Sequence, residues 1–152
     1  MIPRIEDITC YPILLVEDNP DDVLFIRRAF SQAQIINPLQ VVGDGEEATN
    51  YFLGHGIFAN RQEYPLPVLV LLDLKLPRKS GYEVLDWLRR QPLLKRIPVV
   101  ILTSSRNNED INRCYDLGAN SYLVKPVQFE ALLDMMKTLH LYWIFMNEKP
   151  DL

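Results

Sequence analysis

The chain has 152 residues, 48% of them apolar, the size of one domain that buries a core without metal or disulfide staples. Its formal charge is -4 with no long basic run, which argues against a nucleic-acid partner, and its 2 cysteines, Cys10 and Cys114, lack zinc or redox spacing and fit a reducing compartment. The start Met1-Ile2-Pro3-Arg4-Ile5-Glu6-Asp7 offers no signal-peptide core and no apolar stretch is long enough to span a bilayer, so a cytoplasmic protein with no membrane partner is expected.

Ile13 to Val16 reads as a buried strand, after which Asn19-Pro20 supplies the cap and first-turn proline of a helix running to about Ala33. Leu39 to Val42 is a second strand, and Asp44-Gly45-Glu46-Glu47 turns into a short helix carrying Ala48, Tyr51, Phe52 and Leu53. The connection from Gly54 to Pro67 is long, a length that fits a contact loop and a tolerated surface insertion equally. Val68 to Leu72 forms a third strand leading to a helix near Ser80 to Arg90. Pro98 to Leu102 is the fourth, followed by a helix near Asn108 to Leu117 that Gly118 stops. Ser121 to Val124 is the fifth strand, and a last helix starts after Pro126. This alternation predicts a parallel sheet with helices on both faces. The expected organisation is an N-terminal extension over 1–11, one domain over 12–140 and an aromatic C-terminal extension over 141–152.

Ligand sites of open α/β sheets lie at the carboxyl ends of the strands. Those ends deliver Glu17 and Asp18, then Asp73, Thr103 and Lys125. Gathered carboxylates repel one another and stay ionised only beside a cation, and an all-oxygen set suits a hard ion such as Mg2+. An aspartyl carboxylate also takes phosphoryl groups as a nucleophile, with a lysine and a metal neutralising the oxygens on phosphorus. Singly, each residue has a plainer reading: Glu17 and Asp18 as helix-capping acids, Asp73 as a turn acid, Thr103 as a strand-end hydroxyl, Lys125 as a surface cation. Their convergence from separate strands on one sheet edge favours phosphoryl transfer.

The chain resembles the receiver domain of two-component response regulators. The resemblance is carried by Leu15-Val16-Glu17-Asp18-Asn19, by Leu71-Leu72-Asp73-Leu74-Lys75-Leu76-Pro77 with Ser80-Gly81, by Leu102-Thr103-Ser104 and by Tyr122-Leu123-Val124-Lys125-Pro126. It implies a flavodoxin-like (βα)5 fold of strand order 2-1-3-4-5 with an extended C-terminal helix. It makes Asp73 the phosphoacceptor, places Mg2+ on Glu17, Asp18, Asp73 and the backbone carbonyl of Lys75, and sets Thr103 and Lys125 on the phosphoryl group. It also implies that Thr103 and Tyr122 act as a switch pair, and that Lys75 and Ser105 stand where receivers tune hydrolysis. Within the family, Asn19-Pro20-Asp21-Asp22, Asp44-Gly45-Glu46-Glu47-Ala48, the long connection and the aromatic C-terminus resemble the single-domain regulators that partner cyanobacterial phytochrome histidine kinases.

Leu141, Tyr142, Trp143, Ile144, Phe145 and Met146 are apolar all round a helix, more than one core-facing stripe requires. A homodimer interface through Leu141, Tyr142, Trp143 and Phe145 is expected, with kinase docking and folding back onto the domain as the other readings. His55 and His140 are read as surface or loop residues without a phosphotransfer role. The expected function is a non-enzymatic signalling receiver that passes its signal to a downstream protein. Two alternatives are a phosphatase of the haloacid-dehalogenase kind, disfavoured because Lys75 stands where that class needs a second Asp, and a phosphorylation-independent adaptor bound through the aromatic segment.

Overall fold

The structure is a computed structural model that describes residues 9–152. Residues 1–8, most of the expected N-terminal extension, lie outside the described residues.

Strand β1 (Ile13–Val16) is buried along its whole length, as an apolar run covered on both faces must be. Helix α1 (Pro20–Gln32) begins where the Asn19 side chain accepts from the Asp21 amide at 2.9 Å and the Asp22 amide at 3.3 Å. Edge strand β2 (Leu39–Val42) precedes α2 (Gly45–Leu53). There Asp44 accepts from the Glu47 amide at 2.7 Å while the Glu47 carboxylate accepts from the Gly43 amide at 2.8 Å, a reciprocal capping box. Gly54, at φ 69°, ends α2 in the left-handed region. Strand β3 (Leu69–Leu72), α3 (Gly81–Arg90) capped by Ser80, β4 (Val99–Thr103), α4 (Asn108–Asp116) capped by Asn107, β5 (Ser121–Val124) and α5 (Phe129–Leu139) complete the rhythm. Observed β4 sits one residue beyond the expected run: Pro98 has no N–H and contributes only its carbonyl, to the Val70 amide, whereas the Thr103 carbonyl accepts from the Lys125 amide at 2.8 Å.

The sheet is five-stranded, wholly parallel and ordered β2-β1-β3-β4-β5. Alternation of side chains divides the core. Leu14, Val16, Val70, Leu72, Val99 and Ile101 face α2, α3 and α4, while Ile13, Leu15, Leu69, Leu71, Val100 and Leu102 face α1 and α5. The register pairs Val16 with Leu72 and Thr103 with Val124, so the residues following the strands emerge along one edge.

The long connection is a packed structure. Phe58 is buried against Tyr51 and Tyr64, the Tyr51 hydroxyl donates to the Pro65 carbonyl at 2.8 Å, and Arg61 donates to the carbonyls of Tyr51, Phe52 and Tyr64. Arg61 thereby occupies the carbonyl end of α2, where cations are favoured.

Beyond α5 the chain continues as a π-helical turn, His140–Met146. Ile144 is 0% exposed and Trp143 packs beside it on the α1/α5 side of the core, whereas Leu141, Tyr142, Phe145 and Met146 are exposed. The extension therefore folds back through part of its circumference. Of the expected interface residues, Leu141, Tyr142 and Phe145 stand outward and Trp143 belongs largely to its own domain. His140 also departs from expectation: it is half-buried against the Phe145 ring, its Nε2 lacks a hydrogen-bond partner, and burial lowers its pKa.

Candidate functional site

Glu17 and Asp18 leave β1, Asp73 leaves β3, Thr103 ends β4 and Lys125 leaves β5, so the sheet brings all of them to its carboxyl edge. Glu17, Asp73 and Thr103 are buried, while Asp18 is exposed. One carboxylate oxygen from each of Glu17, Asp18 and Asp73 lies within 4.8 Å of the others. The Lys125 ammonium reaches into this group, donating to Glu17 Oε2 at 2.7 Å, Asp22 Oδ2 at 2.9 Å and Asp73 Oδ2 at 3.2 Å. Asp73 Oδ1 accepts from the Leu74 amide at 2.8 Å, and Glu17 Oε1 from the Asn19 amide at 3.1 Å.

One ammonium faces an excess of carboxylate. Burial pushes the Glu17 carboxyl up to about 7, with the Asp73 charge adding to the rise and Lys125 opposing it. Burial alone would lower the lysine; bonds to Glu17 and Asp22 and the charge of Asp73 outweigh it and raise the net value. Lys125 therefore keeps its charge, and Glu17 is the group that yields. Compact carboxylate oxygen donors carrying surplus negative charge fit a hard divalent cation.

The loop after Asp73 is shaped by close backbone approach. A Cβ at Gly81 would stand 2.1 Å from the Asp73 carbonyl oxygen, and one at Gly45 would stand 2.2 Å from the Lys79 carbonyl oxygen. Arg78, at φ 66°, lies 3.7 Å from Asp44 and 3.8 Å from Glu46, fastening the loop to the start of α2. Lys75 sits exposed on this loop, two residues after Asp73.

Tyr122 is half-buried, and its hydroxyl donates to the Ser105 carbonyl at 2.9 Å. Residues outside the expected set join the site. Asp22 reaches Lys125 from the first turn of α1, and Asp110, in the first turn of α4, accepts from Ser105 Oγ and from the Tyr82 hydroxyl, each at 2.5 Å. Asp22 had a sequence signal, since the third residue of a helix capped at Asn19 faces back toward the strand ends. Asp110 and Tyr82 had none, because their partners lie in different elements.

A wholly parallel sheet in this order, with carboxylates and a half-buried lysine at its carboxyl edge, defines a receiver-type α/β domain. The family model for the response regulator receiver domain matches residues 13–137, and the chain belongs to that family. It is 39% identical over 138 residues to the probable methanogenesis regulatory protein FilR2 of Methanothrix harundinacea, covering 91% of this chain and 86% of that one. It is 38% identical over 132 residues to response regulator Rcp1 of a Synechocystis species, covering 87% and 88%. A crystal structure of the phosphorylated cyanobacterial phytochrome response regulator RcpA superposes with a TM-score of 0.85 at 38% identity, covering 93% of this chain and 99% of that one. The Mn2+-bound form of Rcp1 gives 0.82 at 36%, covering 92% and 99%. The chain is thus a response regulator receiver with an acidic, divalent-metal-binding type of site, similar to phytochrome response regulators. Among the described residues no helix is long and apolar enough to cross a membrane.

Proposed function

We propose that this protein accepts a phosphoryl group on Asp73 from a histidine on a sensor kinase, with Mg2+ as the metal, and that phosphorylation changes its contacts with other proteins. The observation that carries this reading is the Lys125 ammonium 3.2 Å from Asp73 Oδ2, beside the clustered Glu17 and Asp18 carboxylates on the sheet edge where Thr103 ends β4. An Asp73 carboxylate oxygen attacks phosphorus, the bond from phosphorus to the kinase imidazole nitrogen breaks, and the imidazole leaves. Lys125 and the Thr103 hydroxyl donate to the phosphoryl oxygens as charge develops there. Glu17, Asp18, Asp73 and the Lys75 carbonyl would hold the metal, which supplies further neutralisation of phosphoryl charge. Thr103 and Tyr122 relay the new charge to the α4 and β5 side of the domain.

The similarity to RcpA, a cyanobacterial phytochrome response regulator, supports a phytochrome-type kinase as donor, and the cytoplasm is the proposed place of action. Leu141, Tyr142 and Phe145, exposed beside half-buried Trp143, support a homodimer through the extension. Acetyl phosphate with Mg2+ should add one phosphoryl mass to the wild-type protein and none to Asp73→Asn. No gain in wild type, with a phosphorylated histidine kinase also tried and the fold intact, overturns the reading and leaves a phosphorylation-independent adaptor.

A further inference from the structure

The loop between β4 and α4, residues 104–107, starts immediately after Thr103 and is knotted at Ser105. Ser105 Oγ donates to Asp110 Oδ2 at 2.5 Å and accepts from the Asn107 amide at 3.2 Å, while the Ser105 carbonyl accepts from the Tyr122 hydroxyl at 2.9 Å. The other Asp110 oxygen takes the Tyr82 hydroxyl at 2.5 Å, and the Arg113 guanidinium stacks 3.9 Å from the centre of that tyrosine ring. A continuous hydrogen-bonded chain thus runs from Tyr82 at the start of α3, through Asp110 in the first turn of α4 and the Ser105 side chain and carbonyl, to Tyr122 on β5. Bonds from Ser105 and then Tyr82 hold the Asp110 carboxyl below its usual range, and burial followed by the bond to Asp110 raises Tyr82. The bonding pattern is fixed as Asp110 ionised and both hydroxyls donating.

We propose that Asp110 is a positioning residue of the phosphoryl site: by accepting from Ser105 and Tyr82 together, it fixes the loop behind Thr103 so that the Ser105 carbonyl meets the Tyr122 hydroxyl. The plainer role of an acid in the first turn of a helix, favourable to the helix dipole, is shared by Glu109, which is exposed and whose backbone amide bonds Asn107. What separates Asp110 from Glu109 is the pair of hydroxyls it holds from different elements. Thr103 is joined to the knot by a single intervening residue, so loosening Ser105 displaces the hydroxyl that meets the phosphoryl group. The kinetic part of this inference rests on Asp73 being the phosphoacceptor, and the structural part does not.

The test compares wild type, Asp110→Ala, Ser105→Ala, Ser105→Thr, Tyr122→Phe, Glu109→Gln and the double variant Asp110→Ala/Tyr122→Phe. Hydrogen exchange of amides 104–108 and NMR of ring-labelled tyrosine report the loop and Tyr122; the rate of phosphorylation by acetyl phosphate reports the site. Asp110→Ala should raise exchange in the loop about tenfold, shift the Tyr122 signal and slow phosphorylation roughly tenfold, less than the roughly hundredfold cost of a misplacement of about 1 Å because the loop is loosened and not removed. Ser105→Ala should reproduce this, Ser105→Thr, which keeps the hydroxyl, should keep wild-type loop exchange, and Glu109→Gln should change neither readout. Tyr122→Phe added to Asp110→Ala should slow phosphorylation no further, because both break one chain. Unchanged loop exchange in Asp110→Ala, or additive effects in the double variant, overturns the proposal. If wild type takes no phosphoryl group, the phosphoacceptor reading fails and exchange with the Tyr122 signal alone decides the clamp. If Asp110→Ala fails to fold, Tyr82→Phe removes one of the bonds without touching charge, and an unchanged loop in that variant counts against the proposal in the same way.

Discussion

Replacing Glu17 with Gln tests the electrostatic reading of the site through stability alone. In the folded chain the Glu17 carboxyl is raised from an ordinary value of 4.5 to about 7 by burial, and its side chain is 1% exposed, so solvent screening does little to reduce the effect. A raised carboxyl means that the folded state holds its proton more tightly than the unfolded state. Below about pH 4.5 both states are protonated and the contribution to stability is complete. Between 4.5 and 7 only the unfolded carboxyl ionises, and stability falls. Above 7 both are ionised and the loss is complete. At about 1.4 kcal/mol for each tenfold change, that loss is roughly 3 kcal/mol. Glu17→Gln keeps the shape and an acceptor for Lys125 but does not titrate. In metal-free buffer with a chelator, urea unfolding should therefore show the variant gaining on wild type by about 3 kcal/mol between pH 4.5 and 8. Saturating Mg2+ at pH 8 should reverse much of this, since a ligand at 100 times its Kd stabilises by about 2.7 kcal/mol and the variant has lost one donor. A wild-type-minus-variant difference independent of pH, or one that grows in favour of wild type as pH rises without metal, refutes the assignment of Glu17 as the group that yields to Lys125 and Asp73.

Gly81→Ala places a methyl group 2.1 Å from the Asp73 carbonyl oxygen, a collision with backbone that no rotamer relieves. It should lower stability by roughly 1–3 kcal/mol and phosphorylation by tenfold or more, measured by thermal unfolding and intact mass. Arg61→Ala removes the donor to the carbonyls of Phe52 and Tyr64 and one of two donors to that of Tyr51, and should cost about 1–3 kcal/mol while opening residues 54–67 to limited proteolysis. Ile144→Ala should cost about 2–5 kcal/mol in urea unfolding because the residue is core, whereas Phe145→Glu, at a half-exposed ring beside His140, should cost clearly less and should abolish the proposed dimer in sedimentation.

The strand ends were legible because the strands of a parallel sheet covered on both faces read as apolar runs, and the polar residue that ends each run falls on one edge. Glu17, Asp18, Asp73, Thr103 and Lys125 all occupy that edge. Asp22 lies in the Asn19-Pro20-Asp21-Asp22 motif, but its bond to Lys125 spans 103 residues and exists only because the fold brings the start of α1 beside the residue that follows β5. Asp110 and Tyr82 looked like a first-turn acid and an ordinary helix aromatic, roles that local pattern cannot distinguish from a hydrogen-bond chain between helices. The extension was hard for a different reason. Its Asn147 amide bonds the Tyr142 carbonyl, five residues back, at 2.7 Å, so the wider π winding assigns residues to faces that a 3.6-residue repeat does not predict. Trp143 and Ile144 turn inward on that winding while Leu141, Tyr142 and Phe145 turn outward.

That winding extends α5, whose start follows the site's lysine through a short irregular segment, to the outward surface as one rod. Lys125 stands four residues ahead of Phe129, where α5 begins; α5 carries Leu132, Met136 and Leu139 into the same core layer as Ile144, and the π turn follows without a break. The exposed faces of Leu141, Tyr142 and Phe145 are therefore oriented by the core packing of α5 and Ile144, and a displacement of α5 should carry them with it. Such a connection obeys reciprocity: whatever factor phosphorylation applies to association through the extension, association must apply to the phosphorylation equilibrium. If α5 is the coupling element, the dimerisation constant measured with and without a phosphodonor should change by a given factor. The phosphorylation equilibrium constant per protomer should then change by the square root of that factor when Phe145→Glu removes the dimer, since a dimer carries two sites. Ile144→Ala, which loosens the rod while leaving its outward faces in place, should shrink both factors together, and a change in one without the other would place the coupling outside α5.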